Sequence, residues 1–220
     1  MGIERPRVYC AGPLFTAKER EEMQDLAECV ERAGFRTFLP QRDGLELTLC
    51  VQALVERGVE PVSAACLVAK AIFALDVYQV LEACDGVVAN LNGRVPDEGA
   101  VSEAAIAWSS GKPVVGYKAD TRSVFMGQDN PLVAGLFDFH VYDNMQATAD
   151  AMKRALSSAS SPEQSHASRR KRLSEHLKLG ERIWTAMQAE DKLDSVARVI
   201  CDAVASAGKA PLSRAGGTAR

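Results

Sequence analysis

Residues 84–117, CDGVVANLNGRVPDEGAVSEAAIAWSSGKPVVGY, are the stretch from which the fold is most readily inferred. Within it, Gly86 to Leu91 is an almost wholly apolar run, which predicts a central strand covered on both faces. Glu98 to Ser110 predicts a helix that stops at Gly111, and Pro113 to Tyr117 predicts another strand. Strand, helix and strand in this order favour an α/β protein with a parallel sheet.

The same alternation continues on both sides of this stretch. Further strands are predicted at Arg7 to Ala11, Arg36 to Leu39 and Phe139 to Tyr142, with helices at Ala17 to Ala33, Val68 to Leu81 and Met145 to Leu156. The segment from Leu47 to Pro61 is ambiguous. Five strands alternating with helices predict a flavodoxin-like, doubly wound five-stranded parallel sheet with a helical C-terminal extension.

The chain is expected to have one main domain and an appendage. Residues 1–157 form the predicted catalytic domain, 158–168 a flexible polar linker, and 169–220 a helical tail whose PLSRAGGTAR end is disordered. The tail holds 11 Lys and Arg against 6 Asp and Glu, whereas residues 1–168 hold 15 against 23. Because acids interrupt the basic residues and Trp184 is the tail's one aromatic residue, nucleic-acid binding is not expected.

Composition excludes several classes of protein. With 47% hydrophobic and 25% charged residues among 220, the chain has the composition of a soluble globular protein. No uninterrupted apolar run approaches the 18 or so residues that span a bilayer, and the N-terminus lacks the core of a secretory signal, so we expect a cytoplasmic protein without membrane segments. Six scattered cysteines and three dispersed histidines predict reduced thiols, no metal site and no bound cofactor.

Ligands of such sheets bind beyond the carboxyl ends of the strands, where this chain places three polar loops. They are residues 10–13, 40–44 and 90–103. Neither GxGxxG nor GxxxxGK[ST] occurs, so a dinucleotide or P-loop nucleotide site is not expected.

Two carboxylates and one hydroxyl stand out near these loops. Glu103 and Asp76 each lie in a strongly apolar helix, where an acid is costly unless it is paired or functional. The dipole of the helix that begins near Glu98 should favour an ionised Glu103, as a carboxylate nucleophile requires. An ordinary helix glutamate is the structural alternative. Tyr9 either packs under the sheet or directs its hydroxyl to a carboxylate at a neighbouring strand end.

Four segments together resemble the nucleoside 2-deoxyribosyltransferases over about residues 7–145. They are VYCAGPLF (8–15), FLPQRDG (38–44), CDGVVANLNG (84–93) and PDEGAVSEAAIAWSSGKPVVGY (96–117). The resemblance implies a homo-oligomer that exchanges the base of 2′-deoxyribonucleosides with free nucleobases. It implies Glu103 as nucleophile, Tyr9 as its hydrogen-bond donor, and Asp76 and Asp97 as groups that hold the substrate and move a proton. The residues implied to bind substrate are Gly12, Phe15, Gln41, Arg42, Asp43, Gly99 and Asn130.

Two alternatives remain open. A 2′-deoxynucleoside 5′-monophosphate N-glycosidase would use the same nucleophile with water, and would need a phosphate site near Thr16, Lys18 and Arg20. The loop AGPLF lacks the Gly/Ser/Arg-rich character of such hydrolases, which favours the transferase. A non-catalytic nucleoside-binding module, with a tail that recruits a partner, would leave Glu103 dispensable. The chain also departs from the family by continuing past Leu156 and by an insertion between Gly44 and Ala69.

Overall fold

The computed structural model describes residues 5–122, 129–158 and 162–206. The chain divides into two compact units, Met1–Ser165 and His166–Arg220.

A parallel sheet forms the centre of the first unit. Its strands in the described part of the unit are β1 (Arg7–Ala11), β2 (Arg36–Phe38), β3 (Gly86–Asn90), β4 (Val114–Tyr117) and β5 (Val141–Tyr142), in the order β2-β1-β3-β4-β5. Every residue of β3 is buried, as its apolar run predicted. The order confirms the doubly wound α/β class and puts the switch in strand order at β1 and β3, whose carboxyl ends flank a crevice.

Helices cover both faces of this sheet. They are α1 (Ala17–Arg32), α2 (Pro40–Asp43), α3 (Leu47–Val55), α4 (Pro61–Tyr78), α5 (Glu98–Ser110), α6 (Pro131–Leu136) and α7 (Met145–Ser158). One apolar cluster joins α1 and α7 to the side chains of Cys10 and Val88. A second joins α5 and the end of α4 to Tyr9, Val87 and Ala89. Because successive strand residues face opposite ways, Tyr9 lies on the α5 side and Cys10 on the α1 side.

The ambiguous segment is helical. α3 occupies its first half, and α4 begins at Pro61 because Glu60 accepts hydrogen bonds from the backbone N–H groups of Val62 and Ser63. α4 therefore starts seven residues before the predicted Val68. It continues into a π-helical turn at Gln79–Ala83, directly after the turn that carries Asp76.

One described segment passes a test of helix length and apolar composition for a membrane span, although it contains no uninterrupted apolar run of that length. Pro61–Ala83 is a helix of 23 residues, long and apolar enough to span a bilayer by length and composition, and 22% of its most apolar stretch is buried. The sequence criterion missed it because Lys70, Asp76 and Glu82 interrupt the apolar run.

The second unit consists, in its described part, of α8 (Pro162–Ala186), which begins just before the boundary between the units, and α9 (Lys192–Ser206). Within the predicted linker at 158–168, α7 reaches Ser158 and α8 starts at Pro162, while residues 159–161 lie outside the described part. The tail is helical as predicted, and its predicted disordered end also lies outside the described residues. Ion pairs of Arg182 with Asp202, and of Arg198 with Asp191 and Asp194, neutralise part of its basic charge.

Candidate active site

A hydrogen bond between Tyr9 and Glu103 lies at the centre of the site. The Tyr9 hydroxyl donates to Glu103 Oε1 over 2.6 Å. Tyr9 is fully buried on β1 and stacks on Phe38, with ring centroids 5.4 Å apart. Ala100, Ala104 and Ala107 bury one face of α5, and small side chains there allow close packing that brings Glu103 to the edge of the sheet. The alternative in which Tyr9 only packs under the sheet is thereby excluded.

Burial dominates the electrostatics of Glu103. Removal from water raises the pKa of its carboxyl to about 8, with Asp76 and Asp97 adding to the rise and the Tyr9 hydrogen bond opposing it. The helix dipole was expected to favour the ionised form, but the net shift of the pKa is upward. Glu103 lies in the second turn of α5, where the dipole is weak, and desolvation outweighs it.

Asp76 extends from the last turn of α4 to the same site. Burial raises the pKa of this half-buried carboxyl, and the Tyr9 hydroxyl opposes the rise. The pKa of Tyr9 is itself raised well above its usual range, by burial first and then by Glu103 and Asp76. Three elements, β1, α4 and α5, thus bring together a phenol and two carboxyl groups whose pKa values are all raised by burial.

Asp97 is the residue that caps α5. Its Oδ1 accepts the backbone N–H of Ala100 over 2.8 Å, and its negative charge contributes to the raised pKa of Glu103. A Cβ at Gly99 would lie 3.0 Å from Asp97 Oδ1, so the missing side chain keeps that carboxylate uncovered. The structure therefore unites all four predicted catalytic residues, Tyr9, Asp76, Asp97 and Glu103.

The loop after β1 contributes Gly12, whose backbone lies close to α1, and the exposed ring of Phe15. A Cβ at Gly12 would come 2.2 Å from Met23 Sδ, so α1 requires a glycine or a shift of Met23 there. Phe15 is 80% exposed. The Arg20 guanidinium donates to the carbonyls of Leu14 and Phe15 at 2.9 and 3.3 Å, which holds the loop in place.

Side chains predicted to line a base pocket after β2 bind protein groups instead. Gln41 donates to the Arg20 carbonyl over 2.8 Å. Arg42 pairs with Asp43 and Glu31, and Asp43 accepts the backbone N–H of Leu39. These bonds give Gln41, Arg42 and Asp43 structural partners, and a role in base binding stays a prediction.

Asn130 is the N-cap residue of α6. Its Oδ1 accepts the Leu132 N–H over 2.9 Å at the start of α6, and α6 packs against α5. Its amide nitrogen has no hydrogen-bond partner among the residues that the structure describes. Contact of Asn130 with substrate stays a prediction.

Sequence reasoning missed a polar network at the ends of β3 and β4. The amides of Asn90 and Asn92 both donate to the carboxylate of Glu22, at 3.1 and 2.6 Å. Lys118, the first residue after β4, forms an ion pair with Asp129. The rule that polar residues gather at carboxyl strand ends could have identified Asn92 and Lys118. Across the described ranges, no cluster of three or more His, Cys, Asp or Glu is arranged to hold a metal ion.

Comparison with known proteins assigns a family. A family model described as nucleoside 2-deoxyribosyltransferase matches residues 8–177, which extends beyond the resemblance seen in the motifs and reaches α8. None of the curated proteins matches the chain.

Solved structures share the fold. A conserved protein from Enterococcus faecalis V583 is 22% identical with a TM-score of 0.52, over 68% of this chain and 98% of that one. A 2-desoxiribosyltransferase from Leishmania mexicana is 19% identical (TM-score 0.45, 65% and 93% covered), and a 2-deoxyribosyltransferase from Bacillus psychrosaccharolyticus is 16% identical (TM-score 0.46, 66% and 90% covered). The first of these likenesses supports the flavodoxin-like fold.

Proposed function

Because the chain belongs to the nucleoside 2-deoxyribosyltransferase family, we propose that it moves a 2′-deoxyribosyl group from one nucleobase to another through a covalent ester on Glu103. The observation that carries the proposal is the 2.6 Å hydrogen bond from Tyr9 to Glu103, beside Asp76 and Asp97. A partly buried carboxyl group whose anion is stabilised by the Tyr9 hydroxyl is suited to nucleophilic attack once it is ionised.

In the first half-reaction, a Glu103 oxygen attacks C1′ of the nucleoside. The C1′–O bond forms while the C1′–N bond to the base breaks, and the electron pair of the broken bond leaves with the base. Asp76, whose pKa is raised by burial, supplies the proton that the departing base takes up. Asp97, with an uncovered carboxylate at the start of α5, binds a hydroxyl of the sugar.

In the second half-reaction, a nitrogen of the incoming base attacks C1′ from the face that the first base left. The ester C1′–O bond breaks, the carboxylate of Glu103 is regenerated, and the proton of the incoming base returns to Asp76. Two inversions leave the configuration at C1′ unchanged, as in retaining glycosidases.

The loop after β1 favours nucleosides over 5′-monophosphates. The Thr16 N–H and hydroxyl are both engaged by Glu19, whose carboxylate accepts the former over 2.7 Å. Arg20 is engaged by two loop carbonyls. A carboxylate already bound at the start of α1 opposes a phosphate there, because the two anions repel. The monophosphate hydrolase is therefore the second candidate.

A homo-oligomer is also proposed, through the outer face of α4. Val62, Cys66, Ala69 and Phe73 recur at helical spacing and are all exposed. The same helix carries Asp76, so a second copy seated on this face would exclude water close to the site.

Product analysis tests the proposal. The protein is incubated with 2′-deoxyinosine, with and without adenine, and separately with 2′-deoxynucleoside 5′-monophosphates, and products are separated by chromatography. We expect 2′-deoxyadenosine only when adenine is present. With nucleoside alone, mass spectrometry of rapidly quenched protein should detect one 2′-deoxyribosyl group on the peptide that contains Glu103. Deoxyribose 5-phosphate released from the monophosphates alone would instead establish the hydrolase.

A further inference from the structure

The backbone of Gly93 is held on both sides by side chains from the loop after β4. Its N–H donates to Asp120 Oδ2 over 3.1 Å, and its carbonyl accepts from Lys118 Nζ over 3.3 Å. Gly93 has a φ of +110°, a conformation that glycine adopts without strain. Asp120 and Lys118 therefore hold the backbone of Gly93 in place.

The preceding residue strengthens the link between the two loops. Asn92 Oδ1 accepts the backbone N–H groups of Ala119 and Asp120, both over 2.8 Å. We call Asn92, Gly93, Lys118, Asp120 and Asp129 the loop clamp. The bonds between the two loops join residues 25 to 28 apart in sequence, the Lys118–Asp129 pair joins residues 11 apart, and all lie at the carboxyl edge of the sheet.

The charges at the centre of the clamp are buried. Lys118 Nζ lies 2.6 Å from Asp129 Oδ1, and the two side chains are 7% and 8% exposed. Desolvation of two charges is costly, and apolar side chains of similar volume often stabilise a fold equally well. The ion pair orients the Lys118 side chain, because a lysine held by Asp129 also reaches the Gly93 carbonyl.

Both segments joined at Lys118 lead to candidate substrate ligands. Gly93 lies four residues before Asp97, with Pro96 buried between them, and Asp129 immediately precedes Asn130. A displaced Gly93 would move the start of α5, and a displaced Asp129 would move the start of α6.

We propose that Lys118 is a positioning residue, which acts through Gly93 and Asp129 to hold Asp97 and Asn130 where they bind the sugar. The inference rests on the proposed function, because it needs a deoxyribosyl substrate to be observed. The ammonium group of Lys118 is itself engaged by Asp129 and the Gly93 carbonyl.

Two double variants separate positioning from stability. The double variant Lys118→Met with Asp129→Leu removes both charges and the hydrogen bond to Gly93. Its apolar side chains are similar in volume to those that they replace. Lys118→Gln with Asp129→Asn removes the charges but keeps side-chain hydrogen-bond donors and acceptors. Thermal unfolding checks the fold, and steady-state base exchange gives KM and kcat over a range of pH.

We expect the Met/Leu pair to fold and to raise KM for the 2′-deoxyribonucleoside about tenfold or more, with a smaller change in kcat, since misplacement by about 1 Å can cost up to roughly 100-fold. Its kcat/KM should also reach a plateau at lower pH than in the wild type, because Asp97 would lie farther from Glu103 while Tyr9 and Asp76 stay in place. The variant with Lys118→Gln and Asp129→Asn should have a KM and a pH profile closer to those of the wild type. A folded Met/Leu pair with wild-type KM and pH profile would overturn the inference.

If the Met/Leu pair does not fold, Asp120 provides the decisive comparison. Asp120→Ala removes the acceptor of the Gly93 N–H at a position near the surface, whereas Asp120→Asn keeps an acceptor there. The inference requires a higher KM in the alanine variant than in the asparagine variant, and equal values would refute it. Glu103→Gln is assayed in parallel, because base exchange by that variant would overturn the proposed function itself.

Discussion

The hydroxyl of Tyr9 and the carboxylate of Glu103 are joined by a 2.6 Å hydrogen bond although 94 residues separate them in the chain. Both groups lie on the α5 side of the sheet, where burial raises both of their pKa values. The bond therefore stabilises the Glu103 anion at a place where the protein otherwise disfavours it, and several consequences can be measured.

Replacement of the proposed nucleophile should abolish base exchange. Glu103→Gln keeps the size of the side chain but cannot form the ester, and we expect activity to fall on the order of 10⁴-fold or more. Chromatographic detection of 2′-deoxyadenosine from 2′-deoxyinosine and adenine measures this. Glu98→Gln, in the exposed first turn of the same helix, is the matched control and should retain activity. Near wild-type exchange by Glu103→Gln would exclude an ester at this residue.

The pH dependence of catalysis should follow the ionisation of Glu103. Because the free enzyme holds this carboxyl with a pKa of about 8 and attack requires the anion, kcat/KM should rise with pH, with the midpoint of the rise near pH 8 and the plateau above it. Tyr9→Phe removes the donor that lowers the pKa, so its profile should shift to higher pH. Loss of a hydrogen bond to a charged group costs about 1.5–3 kcal/mol, or roughly 10- to 100-fold in kcat/KM. Tyr78→Phe, on exposed α4, should leave the profile unchanged.

The free energy of unfolding should fall as pH rises, whereas kcat/KM should rise. The pKa of Glu103 rises from 4.5 to about 8 on folding, so between these values the folded protein binds a proton that the unfolded chain has released. The contribution of Glu103 to stability is thus full below about pH 4.5 and is lost as pH rises through about 8. Urea unfolding should find Glu103→Gln more stable than wild type at pH 8, with the difference vanishing near pH 4.5. A constant difference across this range would contradict the buried state of Glu103.

The proton donor can be tested with a leaving group that needs no proton. Asp76→Asn should lower kcat for ordinary purine 2′-deoxyribonucleosides by about 10²- to 10⁴-fold, as loss of a general acid does. The 2′-deoxyribonucleoside of N7-methylated guanine carries a cationic base, which departs without protonation. If Asp76 donates the proton, the variant should cleave this substrate at close to the wild-type rate. Equal losses on both substrates would assign Asp76 to binding alone.

The outer face of α4 should govern assembly. Phe73→Glu places a charge in the exposed apolar face, and we expect sedimentation velocity to show a smaller species than the wild type. Gln188→Glu adds the same charge in the second unit and should leave the sedimentation coefficient unchanged. A wild-type protein that sediments as a monomer would refute the proposed oligomer.

Local patterns in the sequence predicted most of the fold. The apolar run Gly86 to Leu91 predicted a buried strand, which β3 confirms, because a strand covered on both faces excludes polar side chains. Gly111, at a φ of +80°, ends α5 as its position predicted. The rule for strand ends, together with the family motifs, selected Tyr9, Asp97 and Glu103 without any coordinates. These features depend on neighbours in the chain or on the order of its elements.

Other features were decided by the tertiary structure alone. The pKa of Glu103 depends on how far α5 and α4 remove it from water, and a helical position predicts only the weaker effect of the dipole. Lys118 and Asp129, 11 residues apart in the segment after β4, form a buried ion pair that no local pattern in the sequence predicts. The apolar character of Pro61–Ala83 was likewise obscured by three charged residues in its sequence. Desolvation and cross-loop contacts are summed over groups distant in sequence, so only the packed molecule determines them.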